Sequence, residues 1–292
     1  MIRRLCIIGV GLIGGSLARA LRRARAVQEV VGYGRSTANL TEAVRLGVID
    51  GAEASIAAAA RNADMVVVAV PIGTTREVLA AVADALMPDA IVTDVGSTQV
   101  SVIEDARATL GDRFAAFVPG HPIAGRERSG VAASTFDLFD GRRVILTPEP
   151  ETSTHATARV RDMWTHVGAQ VSTMNAAEHD RVLAASSHLP HALAYALVDM
   201  IVRLDEHRAI FDCAGGGFRD FTRIAASDPT MWRDIFLANR KELVALLGQY
   251  RDDLDAMIDA IEDEDGQWLW ETLERAKRAR EQLGGGNGTA GD

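Results

Sequence analysis

The sequence has few cysteines and no apolar run long enough to cross a membrane. Only Cys6 and Cys213 occur among the 292 residues, and they form no CxxC pair. This usage indicates reduced thiols in a cytoplasmic protein rather than a disulfide framework. No uninterrupted apolar segment approaches the roughly 20 residues that a membrane-spanning helix needs. We therefore expect a cytoplasmic protein with no membrane partner.

The chain also has a deficit of basic side chains. It carries 31 basic and 40 acidic residues, which gives a net charge of −9. Surfaces that bind nucleic acid usually carry the opposite charge, concentrated in a Lys/Arg stripe, and no such stripe is present in the sequence. The charge balance therefore predicts a small-molecule partner and no nucleic acid.

Hydrophobic patterning predicts an α/β region in residues 1–174. Short β-rich runs alternate with helix-like segments up to about residue 173, and residues 66–70 are apolar on both faces. Such runs are typical of parallel strands covered by helices on each side. The pattern predicts a Rossmann-type, doubly wound sheet. The predicted strands are 5–8, 30–33, 65–70, 91–94, 116–119, 144–147 and 170–172.

After residue 174 the pattern predicts an all-α helical domain, 175–283, for substrate binding and dimerisation. Residues 192–204 are apolar nearly all round, as in a helix buried on most faces. Asp228 and Pro229 are a typical N-cap and first helical residue. A seam of alternating spacings fits either an intramolecular core or a homodimer interface. Its residues are Leu243, Leu247, Tyr250, Leu254, Met257 and Ile261. The glycine-rich tail, 284–292, is predicted to be disordered.

The run GVGLIG at residues 9–14 predicts a dinucleotide site. It follows a predicted strand and opens a predicted helix, which is the context that a GxGxxG motif requires. The alternative is a glycine-rich turn without a ligand. The residues that we assign to the cofactor are Gly9, Gly11, Leu12, Ile13, Gly14, Val70 and Ser97, with Gly34, Arg35 and Ser36 at the ribose end.

The ribose end of this site favours NADP over NAD. An NAD-type site places an acidic residue at the end of the second strand to bind the ribose hydroxyls. This chain has Gly34 there, followed by Arg35 and Ser36, which could bind a 2′-phosphate. If Arg35 is instead a solvated surface residue, the protein would accept either cofactor.

His121 offers the other half of a dehydrogenation. A nicotinamide takes a hydride but not the proton that an alcohol also loses when it is oxidised. A histidine, with an unperturbed pKa of about 6.5, is well suited to accept that proton near neutral pH. The sequence alone leaves open that His121 is only a loop or capping residue.

Five runs resemble the prephenate/arogenate dehydrogenase family, the enzymes of tyrosine biosynthesis. These runs are DVGS at 94–97, GHPIAGRE at 120–127, SHLPH at 187–191, GGGFRDFTR at 215–223 and DPTMW at 228–232. The resemblance implies oxidative decarboxylation of prephenate or arogenate to 4-hydroxyphenylpyruvate or tyrosine, with hydride transfer to NAD(P). It leaves the choice between the two substrates open.

The resemblance also implies roles for individual residues. His121 matches the catalytic base, Ser97 the hydroxyl that orients it, and His191 a second active-site histidine. Arg223 matches the residue that binds the substrate's ring carboxylate. The remaining substrate-pocket positions are Asp180, Ser187, Trp232 and Glu127.

Two other functions compete with this one. A 3-hydroxyacid-type dehydrogenase would use a lysine base in its second domain, but Lys241 and Lys277 lie outside the glycine- and histidine-rich runs. A non-catalytic NADP(H)-sensing module would keep the glycine turn without needing His121, Ser97 and Arg223 together. A metal site is not expected, because no cysteine or fixed acidic ligand accompanies His188 and His191.

Overall fold

The computed structural model describes residues 1–126 and 128–285, with side chains described up to residue 282. The first part of the chain alternates strands and helices, as predicted. Its elements are β1 (Ile2–Ile8), α1 (Leu12–Arg23), β2 (Val27–Tyr33), α2 (Thr37–Arg45), β3 (Gly51–Ala52), α3 (Ile56–Ala60), β4 (Met65–Val68), α4 (Thr75–Ala83), β5 (Ile91–Asp94), α5 (Val100–Leu110) and β6 (Phe117–Val118).

These strands form a six-stranded parallel sheet in the order β3-β2-β1-β4-β5-β6. The chain starts in the middle, winds outwards on one side and then on the other, which is the strand order of a doubly wound dinucleotide-binding sheet. The predicted Rossmann-type fold is therefore confirmed. The two-residue strand β3 was not predicted, because so short a segment has no detectable period.

Both faces of the sheet are buried, because alternate residues of each strand point to opposite sides. In β1, Leu5 and Ile7 join one apolar core with Leu17 of α1, whereas Cys6 and Ile8 join the other, which includes residues of α4 and α5. This two-sided burial explains why the strands contain nearly continuous apolar runs rather than alternating ones.

The later strands depart from the single predicted sheet. β7 (Gly120–Pro122), β8 (Arg143–Leu146) and β9 (Gln170–Thr173) form a separate three-stranded sheet, and α6 (Thr154–His166) connects its last two strands. Pro119 lies between β6 and β7. Because proline has no N–H to donate, the first sheet's hydrogen bonding stops there, and the strand predicted at 116–119 gives way to β7.

The rest of the described chain is helical. Its helices are α7 (Ala176–Leu183), α8 (Leu189–Val202), α9 (His207–Asp212), α10 (Gly216–Thr222), α11 (Pro229–Ala238), α12 (Arg240–Glu262) and α13 (Gly266–Gly285), with a π-helical turn, Ala184–His188, between α7 and α8. Asp228 caps α11 by accepting a hydrogen bond from Met231 N, as predicted. None of the described helices is both long and apolar enough to span a bilayer.

The chain divides into two compact units, Met1–Leu243 and Val244–Asp292. The first unit extends beyond the boundary predicted after residue 174, because the helices that follow this boundary bond to the α/β part. Asp180 of α7, for example, accepts hydrogen bonds from two backbone N–H groups at the start of α5. Helix α13 includes residues 284 and 285 of the predicted tail, and residues 286–292 lie outside the described part.

The prediction that the helix at 192–204 is buried on most faces is wrong for the single chain. Within α8 only Ala194 and Ile201 are buried, while Met200 is 48% and Val202 51% exposed. The predicted seam of α12 behaves similarly, since Leu243 is buried but Leu254 and Ile261 are exposed. The apolar surface of these helices therefore exceeds what one copy of the chain covers.

Candidate active site

The glycine turn after β1 has the geometry of a pyrophosphate cradle. Gly9 has a φ of +98°, and a Cβ there would lie 2.1 Å from the Ala69 carbonyl oxygen. A Cβ on Gly14 would lie 2.5 Å from the Gly9 carbonyl oxygen, so these two glycines allow the turn and the packing of helix on strand. A Cβ on Gly11 would meet nothing within 4 Å. Gly11 thus borders open space, where a ligand can approach the backbone.

The N-terminus of α1 supports the same assignment. Gly11 is the N-cap residue and provides no side-chain hydrogen bond, and the first turn, which starts at Leu12 and Ile13, contains no acidic residue. The free N–H groups and the positive end of the helix dipole suit a diphosphate. Val70 flanks the turn, because a Cβ on Gly9 would lie 3.2 Å from Val70 Cγ1. These residues fit a dinucleotide.

A cavity of about 620 Å³ lies at the carboxyl end of β2, where the adenosine part of such a cofactor would bind. Its lining includes Gly34 and Arg35, and it reaches Glu53, whose carboxylate is paired with Arg4 at 3.3 Å. Ser36 caps α2 by accepting a hydrogen bond from Asn39 N at 3.2 Å, which leaves its hydroxyl proton available. Two of the predicted ribose-end residues, Gly34 and Arg35, thus line one cavity, and Ser36 follows them at the start of α2.

The candidate base, His121, lies on β7 and is buried. Its Nδ1 is 2.9 Å from His179 Nε2, and His179 Nδ1 is 2.8 Å from Asp180 Oδ1. The Asp180 carboxylate in turn accepts hydrogen bonds from Gln99 N at 2.7 Å and Val100 N at 2.9 Å. A continuous chain of hydrogen bonds therefore runs from His121 to the N-terminus of α5.

The surroundings of His121 keep its imidazole neutral. Burial lowers the pKa of His121 well below its usual value of 6.5, and the nearby His179 and His188 lower it further. A neutral imidazole has one nitrogen with a free lone pair. At neutral pH His121 is therefore already in the form that accepts a proton.

Asp94, at the end of β5, holds the loop that carries Ser97 and the strand, β7, that carries His121. Its Oδ2 accepts a hydrogen bond from Gly96 N at 2.7 Å and its Oδ1 accepts one from Gly120 N at 3.0 Å. Burial raises the pKa of Asp94 to about 7, although these hydrogen bonds act in the opposite direction. The carboxyl of Asp94 thus fixes the backbone just before each residue of the predicted catalytic pair, Ser97 and His121.

A second group of aromatic and imidazole rings surrounds Trp232. His191 stacks on Trp232, with ring centroids 3.5 Å apart and an angle of 20° between the planes. His191 Nδ1 is 2.9 Å from the Ser187 carbonyl oxygen, so Nδ1 carries the proton and Nε2 is free to accept one. Burial lowers the pKa of His191, and the positive charge of Arg223 contributes, which places Arg223 within electrostatic range of this ring.

His188 and Asn239 connect the two groups. The Asn239 amide donates hydrogen bonds to the Asp180 carbonyl oxygen at 2.8 Å and to His188 Nδ1 at 3.1 Å. Burial lowers the pKa of His188 to about 4. In the described part of the chain, Trp232 Nε1 is a buried N–H group with no hydrogen-bond partner, while the remaining nitrogen of His188, Nε2, faces the backbone of Ser97. Unsatisfied buried donors of this kind often mark a site that a ligand completes.

The predicted site residues therefore fall into two connected groups. His121 and Asp180 belong to the first, and Ser187, His191, Trp232 and Arg223 to the second. Ser97 is half-buried and its backbone is close enough to influence the pKa of His188. Among the described contacts its hydroxyl has no hydrogen bond to His121, so its orienting role stays a prediction. Glu127 lies outside the described residues.

Sequence analysis missed several residues of this site. His179 is adjacent to Asp180 in the sequence, but nothing in the local sequence shows that its ring meets His121, 58 residues earlier. Asp94 and Asn239 were missed for the same reason, since their partners are also distant in sequence. Among the described residues, no group of three or more His, Cys, Asp or Glu side chains is arranged to hold a metal ion.

Comparison with known proteins is consistent with this geometry. The family profile described as prephenate dehydrogenase, nucleotide-binding domain, matches residues 17–173, and the profile described as prephenate dehydrogenase, dimerization domain, matches residues 175–275. Together they cover most of the chain.

Individual relatives agree with the family profiles. The chain is 38% identical to a cyclohexadienyl dehydrogenase of Zymomonas mobilis over 95% of both chains, and 34% identical to a prephenate dehydrogenase of Bacillus subtilis over 95% of this chain and 75% of the relative. The structure of A. aeolicus prephenate dehydrogenase with hydroxyphenyl propionate and NAD+ superimposes with a TM-score of 0.90 at 38% identity, covering 97% of this chain and 99% of that one. From its fold, its site and these matches, the chain belongs to the prephenate dehydrogenase family.

Proposed function

We propose that this protein oxidises and decarboxylates prephenate, arogenate or both, and transfers the hydride to NAD(P). The observation that carries the proposal is the buried, neutral His121 in the same compact unit as a dinucleotide cradle. The nicotinamide, when bound, supplies the hydride acceptor. The protein's own residues supply the proton acceptor and hold the substrate.

His121 acts as the general base in this proposal. It takes the proton of the ring hydroxyl while hydride leaves the carbon that bears this hydroxyl and the ring carboxylate departs as CO2, and it then returns the proton to the oxygen of the aromatic ring. Because the ring becomes aromatic, the step is strongly downhill, and the protein mainly has to position groups and accept one proton. Ser97 is proposed to orient the hydroxyl and His121 from the neighbouring loop.

The second group of residues is proposed to bind the substrate's anionic ends. The guanidinium of Arg223 provides two parallel donors, which suit the ring carboxylate. Trp232 offers a buried N–H that has no partner among the described residues, whereas the free Nε2 of His191 is an acceptor and suits a donor group of the substrate. Ser187 and Glu127 are proposed to complete the pocket, and Asp180 is proposed to support it from behind His179.

For the cofactor, we propose that NADP is used at least as well as NAD. Gly34 leaves no carboxylate at the end of β2 to bind ribose hydroxyls or to repel a phosphate. Arg35 lines the cavity there and Ser36 follows it as the N-cap of α2, while the carboxylate of Glu53 in the lining is paired with Arg4, which also pairs with Glu29.

We propose that the chain forms a homodimer through its helical part and works in the cytoplasm. The half-exposed apolar side chains of α8 and α12 support a second copy of the chain as the partner, because large exposed apolar surface is costly in a monomer. The cytoplasmic location is supported by the two free cysteines, Cys6 and Cys213.

The reaction itself is tested by following the absorbance of reduced nicotinamide with prephenate and with arogenate, each with NAD and with NADP. We expect turnover with at least one of the four pairs. If none of them reacts while a 3-hydroxyacid does, the proposed function is wrong.

Replacing the base gives the next test. We expect His121→Asn to lower kcat by roughly 10²–10⁴-fold, the usual contribution of a general base, with cofactor affinity little changed. Because the pKa of His121 is lowered, the acid limb of the wild-type log kcat profile should lie below pH 6.5 and should vanish in the variant. The exposed His166, replaced in the same way, is the matched control. Near-normal turnover of His121→Asn would contradict the proposal.

The role of Arg223 is tested by a matched pair in the same helical segment. We expect Arg223→Ala to raise the substrate KM roughly ten- to a hundredfold, since a hydrogen-bonded charge is worth about 1.5–3 kcal/mol. Arg223→Lys should rescue poorly because lysine cannot form the two-point contact. Arg219, exposed one turn earlier in α10, is the control position. Equal KM values for both alanine variants would remove Arg223 from the substrate site.

Cofactor preference is tested at the end of β2. We expect Gly34→Asp to shift the ratio of kcat/KM towards NAD, and a Cβ there has room because its nearest neighbour, Leu40, is 3.7 Å away. Arg35→Ala should weaken NADP alone, by roughly tenfold. If the wild type is strongly selective for NAD and Arg35→Ala changes kcat/KM with neither cofactor, Arg35 does not bind phosphate.

Oligomeric state is tested by sedimentation at micromolar concentration. We expect twice the mass of the chain for the wild type, and dissociation on Leu254→Glu, because a charge would then replace an apolar contact. Asp253→Ala, next to it on α12, is the control and should stay dimeric. A fully active wild-type monomer would refute the dimer.

A further inference from the structure

The hydrogen bonds behind His121 determine which of its nitrogens carries a proton. Both oxygens of Asp180 accept backbone N–H groups at the start of α5, so the carboxylate can only accept from His179. His179 Nδ1 must therefore carry a proton and donate it. In the neutral ring His179 Nε2 is then an acceptor.

The same logic extends to His121. Its Nδ1 is 2.9 Å from His179 Nε2, and because that atom is an acceptor, His121 Nδ1 must be the donor. The proton of the neutral His121 ring is then on Nδ1, and Nε2 keeps its lone pair. The backbone N–H groups at the N-terminus of α5 thus determine, through Asp180 and His179, which nitrogen of His121 donates and which accepts.

We infer that His179, held by Asp180, is a positioning residue that fixes the Nδ1–H tautomer of His121 and thereby directs the Nε2 lone pair to the substrate hydroxyl. This inference rests on the proposed role of His121 as the base. His179 lies outside the sequence motifs that resemble the family, and this inference gives it a part in the reaction.

The pair also accommodates the charge that the reaction creates. When His121 Nε2 takes the hydroxyl proton, the ring becomes an imidazolium with protons on both nitrogens. Its Nδ1–H still donates to His179 Nε2, and the carboxylate of Asp180 lies on the far side of His179. If the Nδ1 proton crosses to His179, the charge moves next to that carboxylate, and the proton count is unchanged.

The burial of His179 supports a functional rather than a purely structural role. Its side chain is fully buried, and both ring nitrogens are engaged in hydrogen bonds. An apolar residue would fill this space without the cost of burying polar atoms. The titratable groups that face His121 are His179 and His188. His188 is hydrogen-bonded to Asn239 and does not belong to the hydrogen-bonded series of His121, His179 and Asp180.

Two substitutions separate the contacts of His179. Asparagine places its amide where Nδ1 was, so His179→Asn keeps the bond to Asp180 and loses the one to His121. Glutamine reaches the position of Nε2. With its NH2 group drawn to the carboxylate, its oxygen can accept from His121 Nδ1. We expect His179→Asn to lower kcat by roughly 10²–10³-fold with substrate KM changed less than about threefold, and His179→Gln to recover part of the loss.

The decisive readout is the tautomer itself, measured by NMR on ligand-free protein labelled with 15N-histidine at neutral pH. We expect wild-type His121 to be protonated on Nδ1 and unprotonated on Nε2, with the signals assigned by their loss in His121→Asn. In His179→Asn the Nε2–H form should appear. The exposed His166→Asn is the control and should change neither kcat nor the His121 signals.

Each result decides the inference independently of the reaction. A wild-type His121 protonated on Nε2 would overturn it even if the enzyme is fully active, and this measurement does not depend on the folding of a His179 variant. Wild-type kcat in a folded His179→Asn would overturn it as well. Normal turnover of His121→Asn would instead contradict the proposed base while leaving the tautomer measurement intact.

Discussion

The active site depends on a single buried carboxyl, Asp94. It sits at the end of β5, next to the edge strand of the parallel sheet, where hydrogen bonding to neighbouring strands ends and backbone N–H groups need new acceptors. By accepting from Gly96 and Gly120, it connects the loop of Ser97 to the strand of His121 and so joins the two sheets at the site. The position of the proposed base, His121, is thus set by contacts of the backbone beside it.

The site combines two kinds of polar interaction. Around His121, donors and acceptors are matched from the backbone of α5 through Asp180 and His179, so the ring is fixed before any ligand arrives. Around Trp232, by contrast, the buried indole N–H has no partner among the described residues. The first arrangement is typical of preorganised catalytic groups, and the second of a surface that a ligand completes. Asn239 bonds to both.

Much of this organisation could be predicted from the sequence. The glycine turn, the parallel strands and the N-cap at Asp228 follow from local periodicity and from backbone chemistry, and the resemblance implied that His121 and Asp180 lie in one site. The contact between His121 and His179 could not be predicted, since it joins a strand to a helix far along the chain. The burial of α8 was misjudged for another reason. An apolar helix has the same sequence pattern whether the residues that bury it belong to its own chain or to another chain.

The neutral histidines have a consequence for the acid tolerance of the protein. His121, His188 and His191 all resist protonation when folded, but in the unfolded chain they would take up protons near pH 6.5. Stability is therefore lost as the pH falls from 6.5 towards 4, the pKa to which His188 is lowered. Asp94 acts in the opposite sense, because its raised pKa stabilises the folded state at low pH and this contribution is lost as the pH rises through 7. Keeping these imidazoles neutral at neutral pH thus has a cost in mild acid, where each of them favours the unfolded chain.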